Sequence, residues 1–249
     1  MKKLLTIAIA MMAAAGAMAQ SKVYFTKEIT PESLVKVYKA LGVEPTGRVA
    51  VKISTGEPGG HNYLKPTLIR NEHRKAIHEH GFDSIARVDI MDEEGNMNIP
   101  VKDTTHIKYD IVGSHLANYD FMVNLAHFKG HAMGGFGGVL KNASIGVASA
   151  DGKAYIHTAG KVQSPKELWQ NLPAQDYFLE SMAAAAQGVH DYMKGRVVYI
   201  NVMNNMSVDC DCDSHPADPK MKDVGILAST DPVALDKACL DIVFNHKAT

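Results

Sequence analysis

The chain has 249 residues, 46% of them hydrophobic and 21% charged, with 26 Lys and Arg set against 27 Asp and Glu. That length can bury a sizeable core in one large or two small domains, and the near-neutral balance lacks the basic field that nucleic acid or an anionic membrane surface requires. Twelve histidines are many for such a chain, so metal or acid–base chemistry is the class to look for.

Lys2 and Lys3 precede an apolar run, and Ala17-Met18-Ala19 supplies a small-x-small cleavage signal before Gln20. This order predicts a secretory signal peptide over 1–19. The run is shorter than the ~20 residues of a membrane span, and there is no cysteine at position 20 to carry a lipid. The mature protein is expected to be exported, periplasmic or secreted, with no stable membrane anchor.

Beyond the leader, 22–26 reads as a short strand. Residues 31–41 read as a helix, with Thr30 as N-cap, Pro31 in the first turn and Gly42 past the end. A β-branched strand over 48–54 leads into a Gly/Pro loop, and an amphipathic helix over 66–80 ends at Gly81. Strands are predicted at 85–91, 107–112 and 121–125, with a turn-rich link over 92–98. A short helix near 139–145, a long one over 173–194, strands at 196–203 and 223–228, and a last helix over 232–244 with Asp231 as N-cap complete the pattern. Strands alternating with helices predict an α/β fold: a single domain over 20–249 with a largely parallel sheet flanked by helices.

In such sheets ligands collect beyond the carboxyl ends of the strands, so the loops after each strand are the places to search. Lys52 sits inside a strand, where its charge needs a ligand, an ion pair or a route to water. His127, Lys129 and His131 alternate on an extended segment and so face one side; they are the candidate catalytic groups, able to move protons or hold an anion. The following Gly-rich run, with Gly134, Gly135, Gly137 and Gly138, lets backbone amides approach an anion, with a helix start and Lys141 and Asn142 just beyond. The spacing is not that of a P-loop, and a tight structural turn explains the glycines equally well.

The stretch 208–215 holds two of the three cysteines in the chain, three alternating aspartates and a histidine. Asp209, Asp211 and Asp213 match the early positions of a calcium loop, but Ser214 and Lys220 stand where its glycine and glutamate belong, so that reading fails. Cys210 and Cys212, with His215 or a histidine of 127–131, offer soft ligands to a divalent metal such as zinc. A disulfide from either loop cysteine to Cys239 is the alternative natural to an exported protein, although it leaves one thiol over.

The run 124–146 (NLAHFKGHAMGGFGGVLKNASIG) resembles the Lys-x-His … Lys-Asn signature of the domain-of-unknown-function 362 family, and 210–239 resembles its second signature, which closes in Ser-x-Asp-Pro-Val-Ala-Leu-Asp. Members of that family are often labelled iron–sulfur centre proteins. The resemblance implies one α/β domain with Lys129, His131, Lys141, Asn142, Cys210 and Cys212 as the positions to watch; it implies no reaction. Two departures from the family pattern stand out: Arg70 runs directly into Asn71, where a further strand and loop are expected, and further elements are expected after Phe244. A four-cysteine cluster cannot be built from three cysteines, and the leader carries Lys2-Lys3 rather than twin arginines, so a divalent ion is favoured over a cluster. The expected function is metal binding beside a small anionic ligand, as a metal-dependent enzyme or binder; iron–sulfur or thiol redox chemistry, and a non-catalytic exported binding module with a disulfide-braced loop, are the alternatives.

Overall fold

A computed structural model describes residues 21–54, 61–62 and 87–246. The leader 1–19, most of the Gly/Pro loop, the helix expected over 66–80 and the Arg70–Asn71 junction lie outside the described residues. No helix among the described residues is long and apolar enough to cross a membrane.

The fold is α/β, built on a five-stranded sheet in the order β1-β9-β8-β5-β2. Its strands are β1 (Tyr24–Thr26), β2 (Val49–Lys52), β5 (Phe121–His127), β8 (Val197–Met203) and β9 (Gly225–Ser229). β2, β5 and β8 pair in parallel, and β9 runs against both β8 and β1, so all strands but β9 point the same way. The central strand β8 is buried throughout. Its side chains alternate with the period of two that a strand imposes: Val197, Tyr199 and Met203 join one hydrophobic cluster, and Ile200 and Val202 join another on the opposite face.

Helix α1 (Pro31–Ala40) covers the second face through Val37, Leu34 and Tyr38. Thr30 caps it, accepting from Ser33 N while the Ser33 hydroxyl accepts from Thr30 N. Three helices serve the first face: α2 (Val139–Ala143), α4 (Gln175–Tyr192) and α5 (Pro232–Phe244). The Asp231 carboxylate caps α5, accepting from Val233 N and Ala234 N.

Several expectations change. Over its described part, 87–91, the strand expected at 85–91 is irregular. The expected turn-rich link contains β3 (Asn96–Ile99), which pairs with β4 (Asp110–Gly113) in a separate two-stranded sheet. Helix α3 (Ala150–His157) falls where no helix was expected. It is buried on most sides, so no amphipathic period marks it, and Gly152 sits mid-helix because a Cβ there would lie 1.9 Å from Ile111 O on β4.

Candidate metal centre

The carboxyl ends of β2 and β5 meet at one cavity of about 440 Å³. β5 ends at His127, and after Phe128 the chain enters β6 (Lys129–His131), which turns back as β7 (Gly135–Gly137). The loop after β8 carries Cys210, Asp211 and Cys212 to the same cavity, and α2 brings Lys141 and Asn142. Gly130 allows the close approach: its N–H donates to Ser207 O at 2.9 Å, and a Cβ would stand 2.2 Å from Val208 O.

Asp211 anchors the cysteine loop. Lys129 Nζ donates to its Oδ2 at 2.8 Å, and His127 Nδ1 lies 2.9 Å from both carboxylate oxygens. The other nitrogen of His127 faces Asn204 O at 2.5 Å, and Lys129 Nζ also donates to His127 O at 2.9 Å. Burial pushes the Asp211 carboxyl up, but the Lys129 ammonium and His127 overcome it and hold the group well below the usual carboxylate range. The same balance, burial opposed by Asp211 and the loop thiols, raises Lys129. Lys129 and His127 thus both bond to Asp211 from the cavity wall, and their polar atoms fasten the loop.

Cys210, Cys212 and His131 come together, each offering a ligand atom within 4.8 Å of the others. A hydrogen bond from Cys212 lowers the Cys210 thiol; burial opposes this, and His131 and Lys141 add to the lowering. Lys141 Nζ stands 3.4 Å from Cys210 Sγ, and Cys212 N donates to that sulfur at 3.2 Å. The amides of Met133 and Gly134 donate to His131 Nδ1 at 3.2 and 2.9 Å, so in the neutral ring Nε2 carries the hydrogen. Two thiols and an imidazole are a donor set suited to a soft divalent cation with an open fourth position.

His215 stands apart from this group. It is exposed, with Nδ1 2.9 Å from Ser214 Oγ, and the imidazole that stands beside the thiols is that of His131. Cys239 also stays away: it is fully buried in the main core, where Asn201 Nδ2 donates to it at 3.4 Å. Burial pushes its thiol up to about 12. All three thiols are free, so the loop is held by Asp211 and its own turns, with no disulfide to Cys239. Asp209 accepts from Ala217 N, and Asp213 from His215 N, each at 2.8 Å.

At the Gly-rich run, two of whose glycines, Gly137 and Gly138, line the cavity, a carboxylate already meets the helix amides. Asp236 of α5 accepts from the first amides of α2, Val139 N and Leu140 N, at 3.0 Å each. The positive end of α2 is therefore already filled. Gly138 is required because a Cβ would lie 2.3 Å from Asp236 Oδ1. Gly137 lines the cavity beside Lys129, whereas Gly134 serves His131 and Gly135 takes a left-handed turn at φ +75°.

Lys52 is buried and donates to Ile53 O at 2.6 Å and Asn142 Oδ1 at 3.1 Å. Asn142 also accepts from Ser54 Oγ and donates to Asn124 Oδ1 at 2.7 Å, pinning α2 to the ends of β2 and β5. Three further residues of the cavity, Lys153, His157 and Trp169, were not among the sequence candidates. Lys153 and His157 share one face of α3 at i, i+4, a signal hidden because the helix itself was missed. His157 Nδ1 bonds to Lys153 O at 2.7 Å, which leaves Nε2 as the acceptor. Burial lowers its pKa and the Lys153 carbonyl raises it, while Lys141, His131 and Lys153 push it further down.

The fold and this cavity define an α/β protein with a thiol–imidazole centre among lysines. Residues 25–241 match the family model described as domain of unknown function (DUF362), and the chain belongs to that family. No curated protein matches it in sequence. Among solved structures, it is similar to the lactate racemase apoprotein from Thermoanaerobacterium thermosaccharolyticum, with 14% identity and a TM-score of 0.48. The match covers 88% of this chain and 56% of that one, so this chain spans little more than half of that protein's length.

Proposed function

We propose that this is an exported protein, cleaved after Ala19, that binds one divalent metal ion, zinc favoured, through Cys210, Cys212 and His131. Beside the metal it takes a small anionic ligand. The observation that carries the reading is the convergence of two thiols and an imidazole within 4.8 Å in a lysine-lined cavity. When bound, such an ion supplies a Lewis acid beside the ligand. Lys141 draws the anion in, and the Asp211–Lys129–His127 set holds the cysteine loop in place. His157, neutral near pH 7 with Nε2 as its acceptor, is the group suited to take a proton.

His131 Nδ1 is occupied by two amide hydrogens, so ligation through Nε2 requires the ring hydrogen to shift to Nδ1 and the Met133 and Gly134 amides to turn away from it. Because a thiol must ionise to ligate, metal uptake releases protons and affinity rises with pH. Elemental analysis of protein from an exporting host tests the proposal. About one zinc per chain, lost in Cys212→Ser, is expected for a single site of this donor type; iron with matching sulfide would replace the reading with a cluster shared between chains.

A second reading is thiol redox chemistry, favoured by the hydrogen-bonded Cys210–Cys212 pair and the lowered Cys210. Metal-free protein that loses two titratable thiols with a mild oxidant and regains them with a reductant would favour it.

A further inference from the structure

The cavity, at about 440 Å³, is far larger than a simple inorganic anion requires and falls in the range that holds organic molecules. Its lining is divided in chemistry. Of its four lysines, Lys52 bonds to Asn142 and Lys129 to Asp211, while Lys141 and Lys153, with Asp92 also on the wall, supply further charge; Ile90, Met91, Leu168 and Trp169 supply apolar surface. Trp169 is 69% exposed although it borders the cavity, so a broad indole face stands in water beside the lysines. A short 3-10 helix, Pro165–Gln170, begins at Pro165 and rests against α3, the helix that carries Lys153. The segment that carries the indole is therefore packed on the helix that carries Lys153.

The cationic side lacks the usual equipment for phosphate. No arginine lines the cavity among the described residues. The helix end that could offer amides is α2, and Asp236 occupies it. Lysines are point charges without a bidentate fork, and phosphate sites commonly add backbone amides or arginine. Two lysines beside an indole suit a singly charged acid with a planar apolar body, whose ring stacks while its charge is paired.

We propose that the cavity takes an aryl carboxylate, its carboxylate between Lys141 and Lys153 and its ring against Trp169. This rests on the reading of the cavity as an anion site and names the class of anion. It makes Trp169 the residue that selects an aromatic acid over a small inorganic one.

Trp169 is the single tryptophan of the chain, so its emission reports the site directly. The experiment titrates the full mature protein with phenylacetate, 2-phenylethanol and inorganic phosphate, reading tryptophan emission and, in parallel, calorimetry. Phenylacetate is expected to shift the emission saturably and to bind more tightly than either control. In calorimetry, Trp169→Ala is expected to weaken phenylacetate by about tenfold, the size of a lost aromatic contact with its area, and Lys153→Met by a similar factor. Circular dichroism and melting of both variants check that they remain folded. Phosphate binding as tightly as phenylacetate, or phenylacetate affinity unchanged in Trp169→Ala, would overturn the aryl assignment and leave the anion site standing. Failure of both anions to bind would remove the anion site and this inference together.

Discussion

Asp110 and Asp211 are both buried carboxylates whose surroundings push them in opposite directions. Neither oxygen of Asp110 has a well-formed partner among the described residues. Burial, only partly offset by the Ile111 amide, raises its pKa from 3.8 to about 7. The folded state holds this proton more tightly than the unfolded chain does, so its contribution to stability is full at low pH and is lost as pH rises from about 4 to about 7. Asp110→Asn is expected to abolish that part of the pH dependence, read from urea midpoints at pH 5 and pH 8. Asp211 is lowered, so its contribution is present above the ordinary carboxylate pKa and disappears as pH falls below it. Asp211→Asn leaves Lys129 buried without its counter-charge and is expected to destabilise the fold by about 3–5 kcal/mol. Urea unfolding at pH 7 measures it; a loss under about 1 kcal/mol would mean that Lys129 finds another partner or water.

Helix α2 and the β6–β7 hairpin are short elements, and both are held by side chains from far away in sequence. Asp236 caps α2 from α5, and Asn142 fastens it to the strand ends. The hairpin meets the cysteine loop at Gly130, where no room exists for a methyl group. Gly130→Ala is expected to force the two apart at about 1–3 kcal/mol, the usual cost of overpacking. Because the loop carries Cys212, the same substitution should speed its alkylation by iodoacetamide. A normal alkylation rate with a lowered urea midpoint would place the damage elsewhere in the hairpin.

Across the whole molecule, the proposed ion would join the β6 hairpin to the loop after β8, two segments with α2, α3, α4 and β8 between them in the chain. A ligand that binds the folded state alone stabilises it by about 2.7 kcal/mol at a hundred times its dissociation constant. Zinc is therefore expected to raise the melting temperature, and a chelator to reverse the rise. Cys212→Ser should melt at the same temperature with and without zinc. A zinc-dependent rise retained in that variant would move the site away from the loop.

The α/β class, the strands of the main sheet and the caps at Thr30 and Asp231 are legible in the order of residues, because they rest on local periodicity and on side chains that bond within a few positions. That order also marks the segments that meet at the cavity, since the strand ends and their loops carry the unusual Lys, His, Cys and Gly. Which side chains meet within it is set by long-range packing. Cys210 and Cys212 meet His131 instead of His215, Asp211 takes up His127 and Lys129, and Asp236 fills the helix end expected to await an anion. Helix α3, with Lys153 and His157, also emerged only in three dimensions, because a helix buried on most sides carries no period to read. Each of these depends on contacts between residues tens of positions apart, and such contacts leave no pattern in the local order of the chain.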